Sequence, residues 1–471
     1  MVFSSLEFLF VFIPAVFAIY YIVPPKFRNV VLLLGSIAFY VYGTIEQPLY
    51  IVLFLLSSFV NWFIGLRIGK RERRSRLWLI LGLLYNFGWL FVFKYAGFFF
   101  RTAQTLLDRI WPLSGVNLPA VDLILPIGIS FYTFQIVSYL IDVYRGTIKA
   151  ERSLLHLATY LYMFPQLIAG PIVTFSSMQQ QLRAPKISMD RINDGLREFT
   201  IGLGLKVLLA NRIGSLWSDI GDIGYDSIST PLAWMGAVAF ALQIYFDFYG
   251  YSLMAIGLGR MLGFEIPENF RHPYTALTVT DFWRRWHITL SSWFRDYLYI
   301  PLGGNRVRVP RHIFNLLIVW ISTGFWHGAN WNFILWGFLF FCLLVLEKFA
   351  IKSILERFPV LGHGYMILII PLSFLVFAIT DLGDLAIYFE RLFPFLPGEP
   401  INIMDGDYLK YGAMYGVLLL IGIVFCTEWP RRIYERIKHT IWGTLILLAI
   451  FWGSVYYLYL GLNDPFLYFR F

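Results

Sequence analysis

The chain has 471 residues, 58% of them hydrophobic and 14% charged, with a mean hydropathy of +0.65 and a formal net charge of +9. A water-soluble globule of this size has no use for so much apolar side chain, so the composition describes a polytopic membrane protein. Its two cysteines, Cys342 and Cys426, each lie in an apolar run and read as buried thiols, giving no sign of a disulfide scaffold or a metal site.

Segments near 4 to 23, 30 to 44, 48 to 66, 77 to 99 and 121 to 142 are apolar and long enough, or nearly so, to cross about 30 Å of hydrocarbon. Further ones lie near 196 to 216, 231 to 258, 312 to 326, 331 to 347, 364 to 380, 411 to 427 and 440 to 461. The first has no basic residue before it, and Lys26 and Arg28 after it, the reverse of a cleaved signal, so it reads as a retained anchor. Leu154 to Ile172 is apolar but broken by Pro165 and Gly170-Pro171 and carries Gln166, a pattern that predicts a re-entrant segment. The expected fold is therefore all-α, with roughly 11–12 transmembrane helices plus re-entrant and interfacial helices. Residues 1–471 read as one integral membrane domain, because no polar stretch exceeds about 50 residues, the lower size of a soluble domain.

Alternate loops collect the basic residues. They are 67 to 76, 145 to 152, 183 to 197, 260 to 311, 348 to 357 and 431 to 438, so that about 30 of the 38 lysines and arginines fall on one side. The opposite loops carry Asp219, Asp222, Asp226, Asp381, Asp384, Glu390, Glu399, Asp405 and Asp407. The positive-inside rule makes the first set cytoplasmic and puts the amino terminus and the tail 463–471 outside. The positive charge is thereby explained by topology, with no nucleic acid required.

Chemistry concentrates between about 265 and 347. Thr280 or Asp281 is placed to cap a helix running to about Ile300, and Phe282, Trp283, Trp286, Leu290, Trp293, Phe294 and Tyr297 repeat at helical spacing. Such a helix lies in the cytoplasmic interface with its aromatic side inward. His287 falls on that aromatic face, either as a core histidine satisfied by a carbonyl or as a group at a cavity mouth. His327 follows a short apolar segment that ends at Trp326. About 15 helical residues cover only about 22 Å, so the turn at Gly328-Ala329-Asn330 is expected inside the membrane. An imidazole there marks a functional site, since burial favours its neutral, basic form. Arg271, Arg284, Arg285 and Arg306 stand nearby, suited to thioester-donor phosphates or to anionic head groups. Asp247, within Gln243-Ile244-Tyr245-Phe246-Asp247, must be paired or protonated, and an arginine or tyrosine partner is expected. No Gly-x-Ser-x-Gly elbow, His-Glu-x-x-His helix or Walker loop is present, so neither a metal site nor nucleotide hydrolysis is expected.

The runs Asn269-Phe270-Arg271-His272-Pro273-Tyr274, Asp281-Phe282-Trp283-Arg284-Arg285-Trp286-His287, Trp293-Phe294-Arg295-Asp296-Tyr297 and Phe325-Trp326-His327-Gly328-Ala329 together resemble the membrane-bound O-acyltransferases, in their bacterial alginate O-acetylation branch. Leu125-Pro126-Ile127-Gly128 and Phe164-Pro165-Gln166-Leu167-Ile168-Ala169-Gly170-Pro171 fit the same branch, and the likeness extends to the Tyr468-Phe469-Arg470-Phe471 end. One departure is Val307-Arg308-Val309-Pro310, where the family pattern would place Lys-Gly. The resemblance implies a helical bundle around a central tunnel, with His327 matching the family's invariant histidine and His287 its secondary one. It also implies O-acetyl transfer from a cytoplasmic thioester such as acetyl-CoA, with no tightly bound cofactor. The acceptor would be an extracellular polysaccharide such as alginate or cellulose, reached through an extracytoplasmic acyltransferase partner in a bacterial inner membrane. His327 is then the expected general base, with Asn330, Trp326 or a backbone amide on the oxyanion, and Gln166 and Asp247 along the tunnel. Two alternatives stand beside this: D-alanyl transfer to teichoic acid from a carrier-protein thioester, and a polymer or lipid transporter.

Overall fold

The computed structural model describes residues 2–112, 115–121, 123–167, 170–395, 406–461 and 467. Ile168, Ala169, Glu399, Asp405 and tail positions 463–466 and 468–471, all used above, lie outside the described residues. The fold is all-α and multi-pass. Among the described residues, eight helices are long and apolar enough to cross a membrane: Pro48–Gly69, Ser75–Ile110, Met189–Ile223, Thr230–Leu262, Trp331–Arg357, Pro359–Ala378, Asp407–Phe425 and Ile441–Tyr459. The other expected spans are helical too, as the shorter or more polar Phe8–Ile22, Arg28–Gly43, Ile129–Arg145 and Val309–His327. The segment expected from 121 becomes helical only at Ile129, after Pro126 and a left-handed Gly128 with φ of +75°. A Cβ on Gly128 would stand 2.5 Å from the Leu167 carbonyl oxygen, so only glycine lets the chain turn there.

The helices group into two compact units. The first comprises Met1–Asn193 and Leu258–Pro267. Lipid gives no hydrophobic force between helices, so polar and small residues do the joining. Asn61 and Asn86 exchange buried amide hydrogen bonds of 3.0 and 2.7 Å between two of its helices. Gly65 leaves room for the Tyr139 ring, whose hydroxyl accepts the Glu151 N–H at 3.0 Å. The predicted re-entrant stretch is a nine-residue helix, Leu154–Tyr162, broken at Met163 before the short turn Phe164–Leu167. Nine residues rise only about 14 Å, too little for a crossing. The freed groups find partners inside the unit: Phe164 N–H donates to Ser36 Oγ at 3.1 Å, and Tyr160 Oη donates to the Val173 carbonyl at 2.7 Å.

The second unit comprises Asp194–Gly257 and Glu268–Phe471. Gly195 and Gly202 face Gly257 and Gly250 at a seven-residue spacing, and a Cβ on Gly202, Gly250 or Gly257 would approach a facing backbone carbonyl to between 2.4 and 2.6 Å. The two backbones therefore touch. Beside this seam Lys206 and Asp247 form a 2.6 Å ion pair, each side chain no more than 3% exposed. The partner expected for Asp247 was an arginine or tyrosine; the structure supplies a lysine from a π-turn, Leu205–Ala210, that swings Lys206 inward. Asp247 also accepts the Leu467 N–H at 3.0 Å, and Lys206 reaches Asn211 at 2.7 Å, so the buried charges are both paired and solvated by hydrogen bonds.

Candidate active site

Everything described in this section lies in the second unit unless stated. His327 is the last residue of helix Val309–His327, and the chain turns back at once into Trp331–Leu346. Glycine sets the closeness of this hairpin: a Cβ on Gly324 would meet the Phe333 carbonyl oxygen at 2.2 Å, and one on Gly337 the Trp320 carbonyl oxygen at 2.4 Å. Asn330 caps the second helix, its Oδ1 accepting the Trp331 N–H at 2.8 Å. Asn332, fully buried, donates to the carbonyls of Val376 and Phe377 and ties the hairpin to helix Pro359–Ala378. The His327 ring, 6% exposed, is boxed by Trp326, Trp336 and Phe377 at centroid distances of 4.9, 5.1 and 5.2 Å.

The segment carrying His287 departs from the single helix expected to run to Ile300. It folds as Val279–Arg285, a break at Trp286-His287, then Ile288–Phe294 and a π-turn Arg295–Tyr299. The first helix is capped by Thr278, whose side chain accepts the Asp281 N–H at 3.1 Å, in place of the expected Thr280 or Asp281. A fully buried carboxylate, Glu347, completes the cap by accepting the N–H groups of Val279 and Thr280 and the Thr280 hydroxyl. Negative charge is favourable at a helix start, and here it positions the Trp283-Arg284 turn.

The break has a cause outside the helix. Asn269 forms a latch: Arg271 N–H donates to the Arg285 carbonyl and Ile288 N–H to the Asn269 carbonyl, both at 2.9 Å. This backbone pairing holds His287 at φ +43° in the left-handed region. The Asn269 Oδ1 then accepts from the Thr289 N–H at 3.2 Å and hydroxyl at 2.9 Å, and lies 3.1 Å from His287 Nδ1. An amide oxygen only accepts, so Nδ1 carries the proton and Nε2 the lone pair. Burial holds the His287 pKa down at about 3, and the ring is neutral. It packs edge-on to Phe248 at 4.7 Å and meets Trp326 at 6.3 Å, so one indole touches both histidines.

A cavity of about 590 Å³ opens beside these elements. Arg284, Arg295, Lys348 and Lys352 supply its charge, and Ser291, Ser292, Tyr299 and Asn305 further polar groups. Arg284, Arg295, Asn305 and Lys348 are exposed, whereas Trp283, Leu290, Phe294, Trp320 and Thr323 are buried. The cavity thus runs from a cationic mouth to an aromatic end. Thr323 is four residues before His327 on the same helix face. Neither His327 nor His287 lines the cavity: Trp336 contacts both Trp283, at 5.7 Å, and His327, and stands between them as an indole wall.

The four predicted arginines part company here. Arg284 faces the cavity and has no ion-pair partner among the described residues, while the adjacent Arg285 turns to Asp281 at 2.8 Å and Thr275 at 2.9 Å. Arg271 is exposed and bound to Glu268 at 2.6 Å, and Arg306 is exposed away from the lining. Hydrogen bonding to Asp296 raises the Arg295 pKa further, so it stays charged. Asp247 is held in the ion pair already described, and Gln166 belongs to the first unit, where its amide donates to the Tyr160 carbonyl. Lys348, Lys352 and Glu347 escaped the sequence reading. They sit on an apolar helix some 50 to 70 residues from the arginines, and a π-turn, Glu347–Ile351, aims Glu347 at the cap and Lys348 at the cavity. Charges ending a long apolar run were the available signal.

A sequence model of the membrane-bound O-acyltransferase family matches residues 147–381, a stretch containing His287, His327 and the whole cavity lining. A Pseudomonas aeruginosa protein named probable alginate O-acetylase AlgI is 38% identical over 440 residues, 93% of this chain and 83% of its own length. The chain is a membrane-bound O-acyltransferase. Other relatives of this acyltransferase include a Helicobacter pylori peptidoglycan O-acetyltransferase, 39% identical over 72% of the chain and 69% of its own length. A Bacillus subtilis teichoic acid D-alanyltransferase is more distant, 28% identical over 52% of the chain and 65% of its own length. In the acyltransferase, then, an open cationic chamber and a histidine in an aromatic box lie on opposite sides of Trp336.

Proposed function

We propose that this acyltransferase takes an acetyl group from acetyl-CoA at its cytoplasmic face and passes it to a hydroxyl acceptor on the way to O-acetylating an extracellular polysaccharide such as alginate. The observation that carries this reading is the cavity whose cationic mouth suits a polyanionic donor and whose buried end stops one helical turn short of His327. Arg284, Arg295, Lys348 and Lys352 hold the donor phosphates, Arg284 with its fork unspent. His327 takes the proton from the incoming hydroxyl as its oxygen attacks the thioester carbonyl carbon. The C–O bond forms, the C–S bond breaks, and the thiolate leaves with the proton that His327 returns. Trp336 must shift for the cavity to reach His327, and closure around the thioester excludes water from it.

Names borne by the relatives support an acetyl donor and a polysaccharide end point. The chain is read as one integral domain in a bacterial inner membrane, its amino terminus outside, because basic loops favour the cytoplasm. An extracytoplasmic acyltransferase completes the transfer to polymer. The test is acetyl transfer from radiolabelled acetyl-CoA by the full chain in proteoliposomes, with His327→Ala as control. Acetyl label that leaves coenzyme A no faster with wild type than with empty vesicles overturns the reading. Turnover only with a carrier-protein thioester would place the protein with the D-alanyltransferases instead.

A further inference from the structure

Buried tryptophan almost always gives its indole N–H a hydrogen-bond acceptor, because a desolvated donor without one destabilises the fold. At the inner end of the cavity two neighbouring tryptophans break this rule. The Nε1 atoms of Trp283 and Trp336, residues 7% and 1% exposed, have no acceptor among the described residues. Trp283 lines the cavity; Trp336 packs edge-on against it, and its own ring reaches His327. Two nearby polar side chains have oxygens engaged within the fold. Asn330 Oδ1 is a helix cap, and the Thr323 hydroxyl donates to the Val319 carbonyl at 2.8 Å. A pair of orphaned neutral donors in an apolar wall, between a donor-sized cavity and a histidine, is the arrangement expected of groups waiting for an oxygen.

We propose that the indole N–H groups of Trp283 and Trp336 receive the thioester carbonyl oxygen and stabilise the oxyanion formed when the acceptor hydroxyl attacks. This rests on the donor reading above and assigns the electrophilic role to residues other than Asn330. As the C–O bond forms, the carbonyl π-electrons move onto oxygen and both N–H bonds strengthen. They relax when the electrons return and the C–S bond breaks. A donor in an aromatic wall has no water to compete with the oxyanion, so its contribution is greatest in the transition state.

The variants Trp283→Phe and Trp336→Phe keep an aromatic ring and delete only the donor end of the indole. In full-length protein reconstituted in nanodiscs, each is expected to lower kcat about 100-fold with KM for acetyl-CoA nearly unchanged. A binding measurement separates this from packing. Two unreactive ligands are compared, a ketone analogue of acetyl-CoA with CH2 in place of the thioester sulfur, and S-ethyl-CoA, which has no acyl carbonyl. Wild type is expected to prefer the ketone by about 5-fold, one hydrogen bond's worth, and the variants to lose that preference. Variants that keep kcat, or that lose kcat yet keep the preference, overturn the proposal. Wild type that binds neither coenzyme A ligand overturns the donor reading and this proposal with it; binding of both without discrimination overturns this proposal alone.

Discussion

The two histidines of the acyltransferase are buried to nearly the same degree and share one indole, yet their surroundings are built on opposite principles. His287 is wired: Asn269 fixes its tautomer, the backbone on both sides is paired, and its φ is forced positive. His327 stands at the end of a hairpin made rigid by glycine contacts, its ring surrounded by the faces and edges of aromatic side chains. In the proposed reaction the ring whose Nδ1 proton is committed to an amide oxygen organises structure, and the one set in an apolar box beside the cationic cavity exchanges the proton.

Substitution tests the contrast. His327→Ala is expected to reduce acetyl transfer by about 10²- to 10⁴-fold while the thermal midpoint in detergent moves little, which is the loss of a general base without loss of architecture. Full activity at normal protein levels would erase the distinction. Arg284→Ala and Lys348→Ala, at the cavity mouth, are expected each to raise KM for acetyl-CoA about 10-fold and leave kcat in place, the effect of one charge-assisted contact of about 1.5 kcal/mol. Arg285→Ala serves as the neighbour that should not, since its guanidinium is engaged with Asp281 and Thr275. Asn269→Ala strips an acceptor from two buried donors and from His287, and is expected to cost about 2 kcal/mol of stability, read as a lowered thermal midpoint.

The last test is a pH dependence carried by His287. Unfolded, it takes up a proton below about 6.5; folded, it does so only near 3. Between those values the unfolded state binds more protons, so stability is complete above pH 6.5 and falls as the medium is acidified. Going from pH 7 to 5 is expected to cost about 2 kcal/mol through this residue. His287→Asn, which tolerates the left-handed backbone, should flatten that part of the profile. An unchanged slope would show the ring to be open to protons in the folded protein.

Much of the site was legible before folding, but unevenly. The Phe325-Trp326-His327-Gly328 run announced an imidazole among tryptophans, because that depends on neighbours in sequence, whereas the span ahead of it, expected to be about 15 residues, is the 19-residue helix Val309–His327. Adjacent arginines were not separable: Arg284 and Arg285 look alike in the chain, and only the Asp281 carboxylate four residues back draws one of them away from the cavity. Nor was the break at His287 visible, since the aromatic spacing continues through it and its cause lies 18 residues earlier at Asn269.

By itself the sequence determined that this protein is an all-helical membrane bundle, where most of its helices lie, and that its histidines, tryptophans and arginines cluster within residues 265–347. Apolar length, helical spacing and Pro-Gly punctuation act over one or two turns, and so are written locally. Tertiary structure alone decided that Lys206 answers Asp247, that Glu347 caps the helix beginning at Val279, and that Lys348 and Lys352 complete the cationic mouth. The first two depend on a charge finding its partner across the packed interior, where the cost of leaving it alone is greatest, and the third on helices far apart in sequence meeting at one opening.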